Sequence, residues 1–406
     1  MKYDAIIIGA GAAGVIAAIT AAKRGRNVLL IDGNGRIGKK LRITGKGRCN
    51  VTNMCDIDEL MRNIPVNSRF LYSAFSKFPP QAVMEFFVDA GVPLKVERGN
   101  RVFPVSDSAP DVVDALEKQI QKYKIKLLKE KAVKLIIDNS VCRGVITNKG
   151  NYESESVLVA TGGASYPVTG STGDGYGFAE YAGHTVTDIV PSLVPLEISE
   201  IYCRQLTGLS LRNVTLTLFD KNKPIFSELG ELMFTCFGVT GPLVLTASSR
   251  IRTMESGRYR MEIDLKPGLP DEKLDIRIQR DFREKSNEQF ANSLNKLLPL
   301  QMIPVVTELS SIAPETKVNQ ITKKQRTDLV KLLKHFPLTI SDFRPVAEAI
   351  VTSGGVQVKE IDPKTMQSKL VSGLYFAGEV LDADGYTGGF NLQIAFSTGY
   401  AAGTNI

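Results

Sequence analysis

The sequence has few of the residue patterns that mark disulfide-rich, metal-binding or membrane proteins. It contains no tryptophan and two histidines, and its five cysteines, at positions 49, 55, 142, 203 and 236, include no Cys-x-x-Cys pair and no metal-ligand spacing. Their odd number and scattered positions are typical of reduced thiols inside a cell. We therefore expect a cytoplasmic protein with no metal site and no disulfide framework.

Long apolar runs and repeats are also missing. No segment approaches the roughly 18 uninterrupted apolar residues of a membrane span. The opening MKYDAIII is too short for the apolar part of a signal peptide. Hydrophobic residues make up 43% and charged residues 23%, ordinary values for a soluble globular protein, which argues against disorder and fibrous structure. We expect a soluble protein of two or three domains with no membrane partner.

The charge balance is mildly basic. The chain has 50 Lys and Arg against 43 Asp and Glu, a net charge of +7, which suits anionic ligands without requiring nucleic acid. Basic residues cluster beside a glycine-rich segment, as expected where phosphate groups are held: Lys39, Lys40, Arg42, Lys46 and Arg48. A solvated surface loop would have the same composition, so both interpretations stay open.

The first fifty residues contain the most specific pattern. Residues 3–8 are mostly apolar and end in three isoleucines, typical of a strand buried on both faces of a parallel sheet. The following GAGAAG places Gly9, Gly11 and Gly14 in a G-x-G-x-x-G spacing, with Ala12 and Ala13 opening an alanine-rich helix to about residue 23. A second strand, 27–31, ends in Asp32.

This order of strand, glycine turn, helix, strand and acid predicts dinucleotide binding. One glycine permits the tight turn, one lets the backbone approach a pyrophosphate, and one allows the helix to pack closely on the strand. The helix N-terminus then faces the phosphates, and Asp32 stands near the spacing expected for a carboxylate that binds the ribose hydroxyls. A Rossmann-like unit without a nucleotide is the alternative.

The predicted secondary structure changes along the middle of the chain. A loop at 38–53 is followed by mostly helical segments at 57–90 and 110–123, strands near 126–137, 141–147 and 156–163, and a helix opening near Asp174. From about residue 191 short alternating strands predict an inserted β domain, with a helical subregion at about 271–336. We expect one discontinuous domain, 1–190 with 346–406, and an inserted cap or substrate domain, 191–345.

The segment 373–403 has the same sequence pattern as the amino end. An apolar strand ends at Gly378 and Glu379, and a glycine-rich turn then opens a second helix. Backbone donors around Gly388, Gly389 and Asn391 would face negative charge on a ligand. Reduced flavin carries such charge beside N1 of its ring.

Separated motifs together resemble one bacterial family. They are GAGAAG with TGKGRCNVTN, then ATGGASYPVTGSTGDG, GELMFTCFGVTGP and GLYFAGEVLDADGYTGGFNLQ. The chain resembles, over essentially its whole length, the aminoacetone-oxidase-like FAD-binding enzymes, NAD(P)/FAD-dependent oxidoreductases distantly similar to the fumarate reductase flavoproteins. The resemblance implies an α/β fold: a Rossmann-type FAD-binding domain with an inserted β-barrel-like domain and a small helical subdomain that caps the flavin.

The resemblance also implies the cofactor-binding residues. Those expected to contact FAD are Gly9, Gly11, Ala12, Ala13, Gly14, Asp32, Lys40, Arg42, Thr44, Gly45, Gly47, Arg48, Cys49, Asn50, Val133, Ala160, Thr161, Gly162, Gly163, Gly378, Glu379, Gly389, Asn391, Leu392 and Gln393. Within this set the loop from Thr44 to Asn50 would line the flavin, the backbone near Val133 would meet adenine, and Gly389 to Gln393 would face the pyrimidine edge.

No catalytic residue is predicted. Relatives usually carry histidine after Phe-Thr in the middle motif, where this chain has Cys236, and the apolar flanks predict that Cys236 is a small packed residue. His184 and His335 are expected in structural or surface roles. Cys49 has no partner at redox spacing and is a poor candidate for a catalytic thiol.

The leading functional hypothesis is a flavin-dependent oxidoreductase, either an amine oxidase or an NAD(P)H-dependent reductase. It moves a hydride between flavin and a small organic substrate or NAD(P)H, with dioxygen or an unsaturated compound as acceptor. Because only one G-x-G-x-x-G is present, NAD(P)H would act as a transient donor. A tRNA-modifying flavoprotein and a non-catalytic flavin-binding sensor are the alternatives. Basic runs at 277–285 and 323–334 motivate the first, but such runs are usually solvated, so nucleic acid is not an expected partner.

Overall fold

Residues 2–406 are described by a computed structural model, in which the chain forms two units. The Rossmann unit comprises the chain up to Ser192 together with Val346–Ile406, and the barrel unit comprises Leu193–Pro345. No helix among residues 2–406 is long and apolar enough to cross a membrane.

The strands and helices follow in chain order. The strands are β1 (Lys2–Ile8), β2 (Val28–Ile31), β3 (Thr52–Asn53), β4 (Leu94–Glu97), β5 (Arg101–Pro104), β6 (Lys126–Leu128), β7 (Ala132–Asp138), β8 (Val141–Thr147), β9 (Asn151–Val159), β10 (Val190–Ser192), β11 (Leu196–Ile198), β12 (Ser210–Asp220), β13 (Lys223–Thr235), β14 (Gly238–Thr240), β15 (Tyr259–Asp264), β16 (Phe336–Phe343), β17 (Val351–Ser353) and β18 (Leu374–Phe376). The helices are α1 (Ala12–Lys23), α2 (Ile57–Arg62), α3 (Ser68–Lys77), α4 (Pro80–Asp89), α5 (Ala109–Lys122), α6 (Asp174–Tyr181), α7 (Tyr202–Gln205), α8 (Pro242–Ser248), α9 (Asp271–Glu284), α10 (Phe290–Ser293), α11 (Ile303–Leu309), α12 (Lys323–Lys334) and α13 (Phe390–Asn405).

A seven-stranded sheet organises the Rossmann unit. Its order is β6-β2-β1-β9-β8-β7, with β18 also beside β9. Strands β6, β2, β1, β9 and β18 run parallel, so their carboxyl ends meet at one edge, where Ile8 pairs with Ile31 and with Val159. The four residues of β2 and the last four of β1 are buried, as expected for central parallel strands that are covered on both faces.

Small residues let the first and last helices pack against each other. A side chain on Gly399 of α13 would begin 2.3 Å from the carbonyl oxygen of Ala13 in α1, and one on Gly403 would begin 2.5 Å from that of Ala17. Each distance is too short for any Cβ atom. The glycines of α13 and the alanines of α1 therefore let the two ends of the chain close one domain.

The barrel unit is a closed six-stranded barrel, β11-β14-β13-β12-β15-β16, in which β16 returns to pair with β11. Its helices include α9 and α12, which lie within the subregion at about 271–336 that is predicted to be helical. Ion pairs attach α12 to its neighbours, from Arg326 to Asp275 at 2.5 Å and from Lys334 to Asp264 at 2.5 Å. The predicted fold class, a Rossmann-type unit with an inserted β-barrel, is confirmed.

Two local expectations are wrong. The segment 126–137 is not one strand: β6 pairs with β2 at one edge of the sheet, whereas β7 pairs with β8 at the other. Cys236 is exposed rather than packed, because it lies in the turn between β13 and β14. The apolar flanks of Cys236 belong to strands that bury alternate residues, so they do not predict the burial of the turn itself.

His184 is a buried structural residue. Its Nδ1 lies 3.1 Å from a carboxylate oxygen of Glu360 and its Nε2 lies 2.7 Å from Oγ of Ser368, while its ring meets Phe376 edge-on. Burial lowers the pKa of His184 below its ordinary value, and the carboxylate of Glu360 opposes this shift only in part. The neutral imidazole thus joins the end of α6 to the segments around Glu360 and Ser368.

We expect stability to fall as the pH is lowered from 7 through the ordinary histidine pKa of about 6.5. In that range the unfolded chain gains a proton on His184 that the folded chain does not, so protons favour unfolding. The midpoint of urea unfolding, measured from pH 7.5 to 5.5, should fall less steeply in His184→Gln than in the parent protein. His335→Gln, which alters an exposed histidine paired with Glu262, is the control. Equal slopes for His184→Gln and the parent would contradict the assignment.

Candidate functional site

The candidate site lies in the Rossmann unit, where the carboxyl ends of the parallel strands meet. The amide of Gly9 donates to the carbonyl of Ile31 at 2.8 Å, and the amide of Ala160 donates to the carbonyl of Ile8 at 2.8 Å. These bonds extend the ladder to the last residue of each strand. The turns that follow β1, β2 and β9 are therefore held side by side at one edge.

Each glycine of the first turn meets a different spatial demand. Gly9 has a φ of +103°, and a side chain there would begin 2.4 Å from the carbonyl oxygen of Ala160. A side chain on Gly14 would begin 1.9 Å from the carbonyl oxygen of Gly9, whereas one on Gly11 would meet no atom within 4 Å. Gly9 and Gly14 are thus required by packing, and Gly11 borders the space that a ligand would occupy.

The helix that follows has an uncapped N-terminus. Gly11 is the N-cap residue of α1, no side chain accepts its first amide protons, and its first turn contains no acidic residue. Free amide groups and the helix dipole together attract a phosphate. Ala12 and Ala13 begin α1, and Gly378 packs against Ala13, because a side chain on Gly378 would begin 2.8 Å from the methyl group of Ala13. The first and last turns of the site are therefore in contact.

Asp32 is held in a fixed orientation at the end of β2. One carboxylate oxygen accepts a hydrogen bond from the amide of Ala10 at 2.8 Å, and the other accepts one from the amide of Asn34 at 2.7 Å. An ionised carboxylate can accept about four hydrogen bonds, so both oxygens retain capacity for a diol. This is the chemistry needed to bind ribose hydroxyls.

Val133 lies at an irregularity in β7. The pairing with β8 shifts between Ala132, opposite Thr147, and Lys134, opposite Ile146, so Val133 has no partner in the register. Its side chain is 58% exposed. A bulge of this kind changes the direction in which the peptide groups point. Such a change suits the proposed contact of this backbone with the flat adenine ring.

The loop from Thr44 to Asn50 adopts a conformation that favours glycine. Gly45, Lys46, Gly47 and Cys49 all have positive φ angles, and a side chain on Gly45 would begin 3.1 Å from the backbone nitrogen of Asn50. The side-chain oxygen of Asn50 is buried and has no hydrogen-bond partner in the protein. Since a buried acceptor without a partner costs free energy, this oxygen is suited to a donor on a ligand.

Cys49 is fully buried in this loop. Burial raises the pKa of its thiol to about 11, although a contact with Thr44 opposes the shift. The thiol is therefore neutral at pH 7, and only a thiolate would act as a redox nucleophile. Its position supports a packing role against the loop.

The basic cluster is largely neutralised by carboxylates. Lys40 is 2.8 Å from Glu379 and Arg42 is 3.2 Å from Asp114. Arg48 pairs with carboxylates on β4 and in the 105–108 turn, and its guanidinium stacks 4.1 Å from the ring centre of Phe103. The positive field at the site therefore comes more from helix N-termini than from these side chains.

Glu379 is the centre of a hydrogen-bonded cluster that the sequence did not reveal. Its carboxylate accepts from Nζ of Lys40, from Oγ of Ser165 at 3.1 Å and from the amide of Thr352 at 2.9 Å. These residues come from four distant segments. The sequence could have pointed to Ser165, because it ends the ATGGAS motif two residues after Gly163. No sequence motif points to Thr352.

The turn after β9 is closely packed against this cluster. A side chain on Gly163 would begin 2.5 Å from the hydroxyl oxygen of Thr352, and Gly162 has a φ of +75°. Ala160 continues the sheet, and the hydroxyl of Thr161 is buried without a partner in the protein. The backbone of this turn can pack against a dinucleotide, whereas its side chains face the protein.

The start of α13 presents its backbone rather than its side chains. Gly389 has a φ of +102° and packs against Thr52, and no side chain caps the helix. The amide of Gln393 is fully buried: its oxygen accepts from the hydroxyl of Thr52 at 2.5 Å and its nitrogen donates to the carbonyl of Phe78 at 2.8 Å. The side chain of Asn391 binds both backbone groups of Gly385.

Asn391 and Gln393 therefore hold the turn in place through their side chains. Polar contact of the segment from Gly389 through Leu392 to Gln393 with a ligand is therefore left to its backbone amide groups. The sequence motif located the element but could not show which way its polar side chains point.

The residues present fit FAD. Two uncapped helix N-termini, of α1 and α13, offer positive charge for a pyrophosphate and for an electron-rich ring. The space beside Gly11, the oriented carboxylate of Asp32 and the unpaired oxygen of Asn50 complete a cradle of the kind an extended dinucleotide requires.

Comparison with known proteins agrees with this geometry. The family model described as HI0933-like protein Rossmann domain matches residues 3–405. A ribosomal RNA dihydrouridine synthase of Haemophilus influenzae is 33% identical over 407 aligned residues, covering 99% of this chain and 98% of that protein. A 3-dehydro-bile acid delta(4,6)-reductase of Clostridium scindens is 30% identical, covering 98% and 97%.

A solved structure shares the fold. The 3-ketosteroid delta1-dehydrogenase of Sterolibacterium denitrificans matches with a TM-score of 0.52 and 14% identity, covering 99% of this chain and 98% of its own. The expectation that nucleic acid is not a partner is not supported, because the Haemophilus relative is named for an RNA.

Substituting two glycines should separate folding from cofactor binding. Gly11→Ala adds a methyl group that meets no protein atom, so the fold should persist while affinity for FAD falls at least tenfold. Gly14→Ala places a methyl group against the carbonyl of Gly9, so it should destabilise the Rossmann unit itself. Thermal unfolding of the apoprotein and titration of FAD by quenching of its fluorescence measure the two effects. Wild-type FAD affinity in Gly11→Ala would argue against this site.

Proposed function

The chain belongs to the HI0933-like family of FAD-binding Rossmann proteins, and we propose that it is a reductase of carbon–carbon double bonds conjugated to a carbonyl group. FAD-dependent oxidoreduction is the activity of the family. The choice of acceptor is the new element.

The observation that supports this choice is a chemical feature common to two relatives matched end to end. One is named for reducing a 3-dehydro-bile acid at the 4,6 positions and the other for making dihydrouridine. A 3-oxo-4,6-diene and the C5–C6 bond of uracil are both conjugated to a carbonyl. Each can accept a hydride at the carbon remote from the carbonyl and a proton at the adjacent carbon.

FAD, when bound, supplies the hydride. The chain's own residues bind and orient it. The turn from Gly9 to Gly14 holds the pyrophosphate, Asp32 the ribose, and the bulge at Val133 the adenine. The loop from Thr44 to Asn50 lines the flavin.

The remaining turns complete the proposed site. The backbone from Ala160 through Thr161 and Gly162 to Gly163 packs on the dinucleotide. Gly378 and Glu379 lie at the ribityl and phosphate region, with Glu379 oriented by Lys40. The backbone amides of α13 face the ring edge that becomes negative on reduction. The barrel unit is proposed as the cap or substrate domain.

NAD(P)H is the proposed electron donor. The chain has a single G-x-G-x-x-G, which the FAD occupies in this proposal, so the nicotinamide would bind transiently. The free cysteines support a cytoplasmic location, where thiols stay reduced. Amine oxidation, the other activity suggested by the family resemblance, is the alternative that the first experiment addresses.

Anaerobic spectroscopy of the FAD-loaded protein tests the proposal. NADH or NADPH should bleach the flavin absorbance, and a steroid dienone or a uridine-containing RNA should restore it. A primary amine should leave the absorbance unchanged. Bleaching by the amine with no restoration by either unsaturated compound would overturn the proposal in favour of amine oxidation.

The reduction also needs a proton, which solvent water supplies in this proposal.

A further inference from the structure

An unusual run of lysines lies outside the proposed flavin site. Residues 118–134 contain seven lysines and one acidic residue, Glu130. Glu130 is buried and accepts hydrogen bonds from Thr147 and Tyr152, so it does not neutralise the surface. Three of the lysines, at 129, 131 and 134, lie beyond β6 toward the carboxyl end of the strand. The other four lie on α5, between α5 and β6, and at the start of β6.

The lysines at 118, 122, 124 and 126 lie near two further basic residues, Lys23 and Arg26, at the end of the sheet where the parallel strands begin. Nζ of Lys23, at the end of α1, lies 5.8 Å from the ring centre of Tyr123, and Nζ of Lys122, at the end of α5, lies 5.6 Å from it. Strand β6 pairs with β2 so that Lys126 stands opposite Leu29. The lysine face is thus defined by Lys23, Arg26, Lys118, Lys122, Lys124 and Lys126, all exposed, around Tyr123.

This face lies away from the proposed flavin site. Arg26 precedes β2 and Lys124 precedes β6, whereas Gly9 and Asp32 follow the carboxyl ends of β1 and β2. Because the strands are parallel, the two groups lie at opposite ends of the same sheet. The lysine face does not compete with FAD for space.

The charges of the lysine face are not compensated within the protein. Among residues 2–406, Arg26, Lys118 and Lys124 have no side-chain hydrogen bond or ion pair, and Lys126 has none either. Lys23 and Lys122 make ring contacts only. The nearest acid on α5, Glu117, faces Arg42 instead, at 3.8 Å.

The basic helices of the barrel unit differ in this respect. Arg326 and Lys334 of α12 pair with Asp275 and Asp264, and Lys296 pairs with Glu284 of α9. The runs that motivated the tRNA hypothesis from the sequence are thus partly neutralised by structure. Among the residues that the structure describes, Lys323, Lys324 and Lys331 of α12 remain exposed without an ion pair. The two surfaces therefore differ in degree, since the lysine face has no ion pair at all within those same residues.

Structural roles account for only part of the lysine face. A cation at a helix C-terminus interacts favourably with the helix dipole, which explains Lys23 and Lys122. A lysine on an edge strand discourages pairing with another chain, which explains Lys126. Neither effect requires Arg26, Lys118 or Lys124, and their mutual repulsion opposes folding.

We propose that the lysine face binds the phosphate backbone of RNA. A cluster of exposed cations without ion pairs, beside an aromatic ring, is the composition expected of a surface that binds a polyanionic phosphodiester chain. An anionic membrane is disfavoured, because Leu127 is the sole large apolar side chain exposed between residues 118 and 130, at 36%. The proposal adds a macromolecular partner to the proposed reductase and is tested by binding alone.

The test uses the FAD-loaded protein and a fluorescein-labelled hairpin RNA of about 30 nucleotides, long enough to span a backbone-binding surface. Fluorescence anisotropy gives Kd from 50 to 200 mM KCl. The variant combines Lys118→Gln, Lys124→Gln and Lys126→Gln. The matched control combines Lys323→Gln, Lys324→Gln and Lys331→Gln, which remove the same charge from an exposed face of α12.

The lysine-face variant should raise Kd at least tenfold near 150 mM salt. A plot of the logarithm of the association constant against the logarithm of salt concentration has a negative slope. The variant should reduce the magnitude of that slope by about 2 to 3, close to one for each phosphate that is no longer bound. The control variant should bind within about twofold of the parent, since its three lysines do not touch the RNA backbone in this proposal.

Equal weakening by both variants would show that net charge alone attracts RNA and would overturn the proposal. So would the absence of RNA binding by the parent at 50 mM salt, or tighter binding to phosphatidylglycerol vesicles than to RNA. Reduction of a free steroid dienone, measured in parallel, should not change in the lysine-face variant. Failure of the parent protein to reduce either the dienone or a uridine-containing RNA would refute the proposed reaction and leave the RNA-binding result unaffected.

Discussion

The contact between Gly14 and the carbonyl of Gly9 is the constraint on which the candidate site depends. It draws α1 against the end of β1 so closely that no side chain fits between them. The helix N-terminus is then held at the edge where β1, β2, β9 and β18 end. A larger residue at Gly14 would move the helix, and with it the amide groups that face the proposed pyrophosphate.

The same principle recurs around the site, where backbone approaches backbone through glycine. Gly378 packs on Ala13, Gly389 on Thr52 and Gly399 on the carbonyl of Ala13. These contacts join the first and last segments of the chain, which are far apart in sequence. The cradle is therefore built from main-chain groups, and most nearby basic side chains are occupied by carboxylates. Such a site binds an anion through helix dipoles, which are fixed in direction and do not need to be ordered on binding.

Polar side chains in the motifs more often hold the protein backbone in place than face the space for a ligand. Gln393 and Asn391 lie in a segment predicted to face the flavin, yet their side chains hydrogen-bond Thr52, Phe78 and Gly385. Buried amides require such partners, because leaving them unpaired is costly. Asn50 and Thr161 are exceptions, because each has a buried side-chain oxygen without a partner in the protein. That contrast distinguishes a polar residue that supports the turn from one suited to contact a ligand.

The sequence alone determined the Rossmann-type fold, the inserted barrel and the location of the glycine turns, because glycine spacing and buried apolar strands are local patterns. The assignment of individual residues to FAD remains a prediction. Only the tertiary structure decided that β6 and β7 lie at opposite edges of the sheet, that Glu379 gathers Lys40, Ser165 and Thr352, and that Cys236 is exposed. It also decided that Arg326 and Lys334 of α12 form ion pairs, whereas the lysine face has none in the part of the chain that the structure describes. Each of these depends on which distant segments become neighbours, and a hydrophobic period or a charge run carries no information about its partner across the fold.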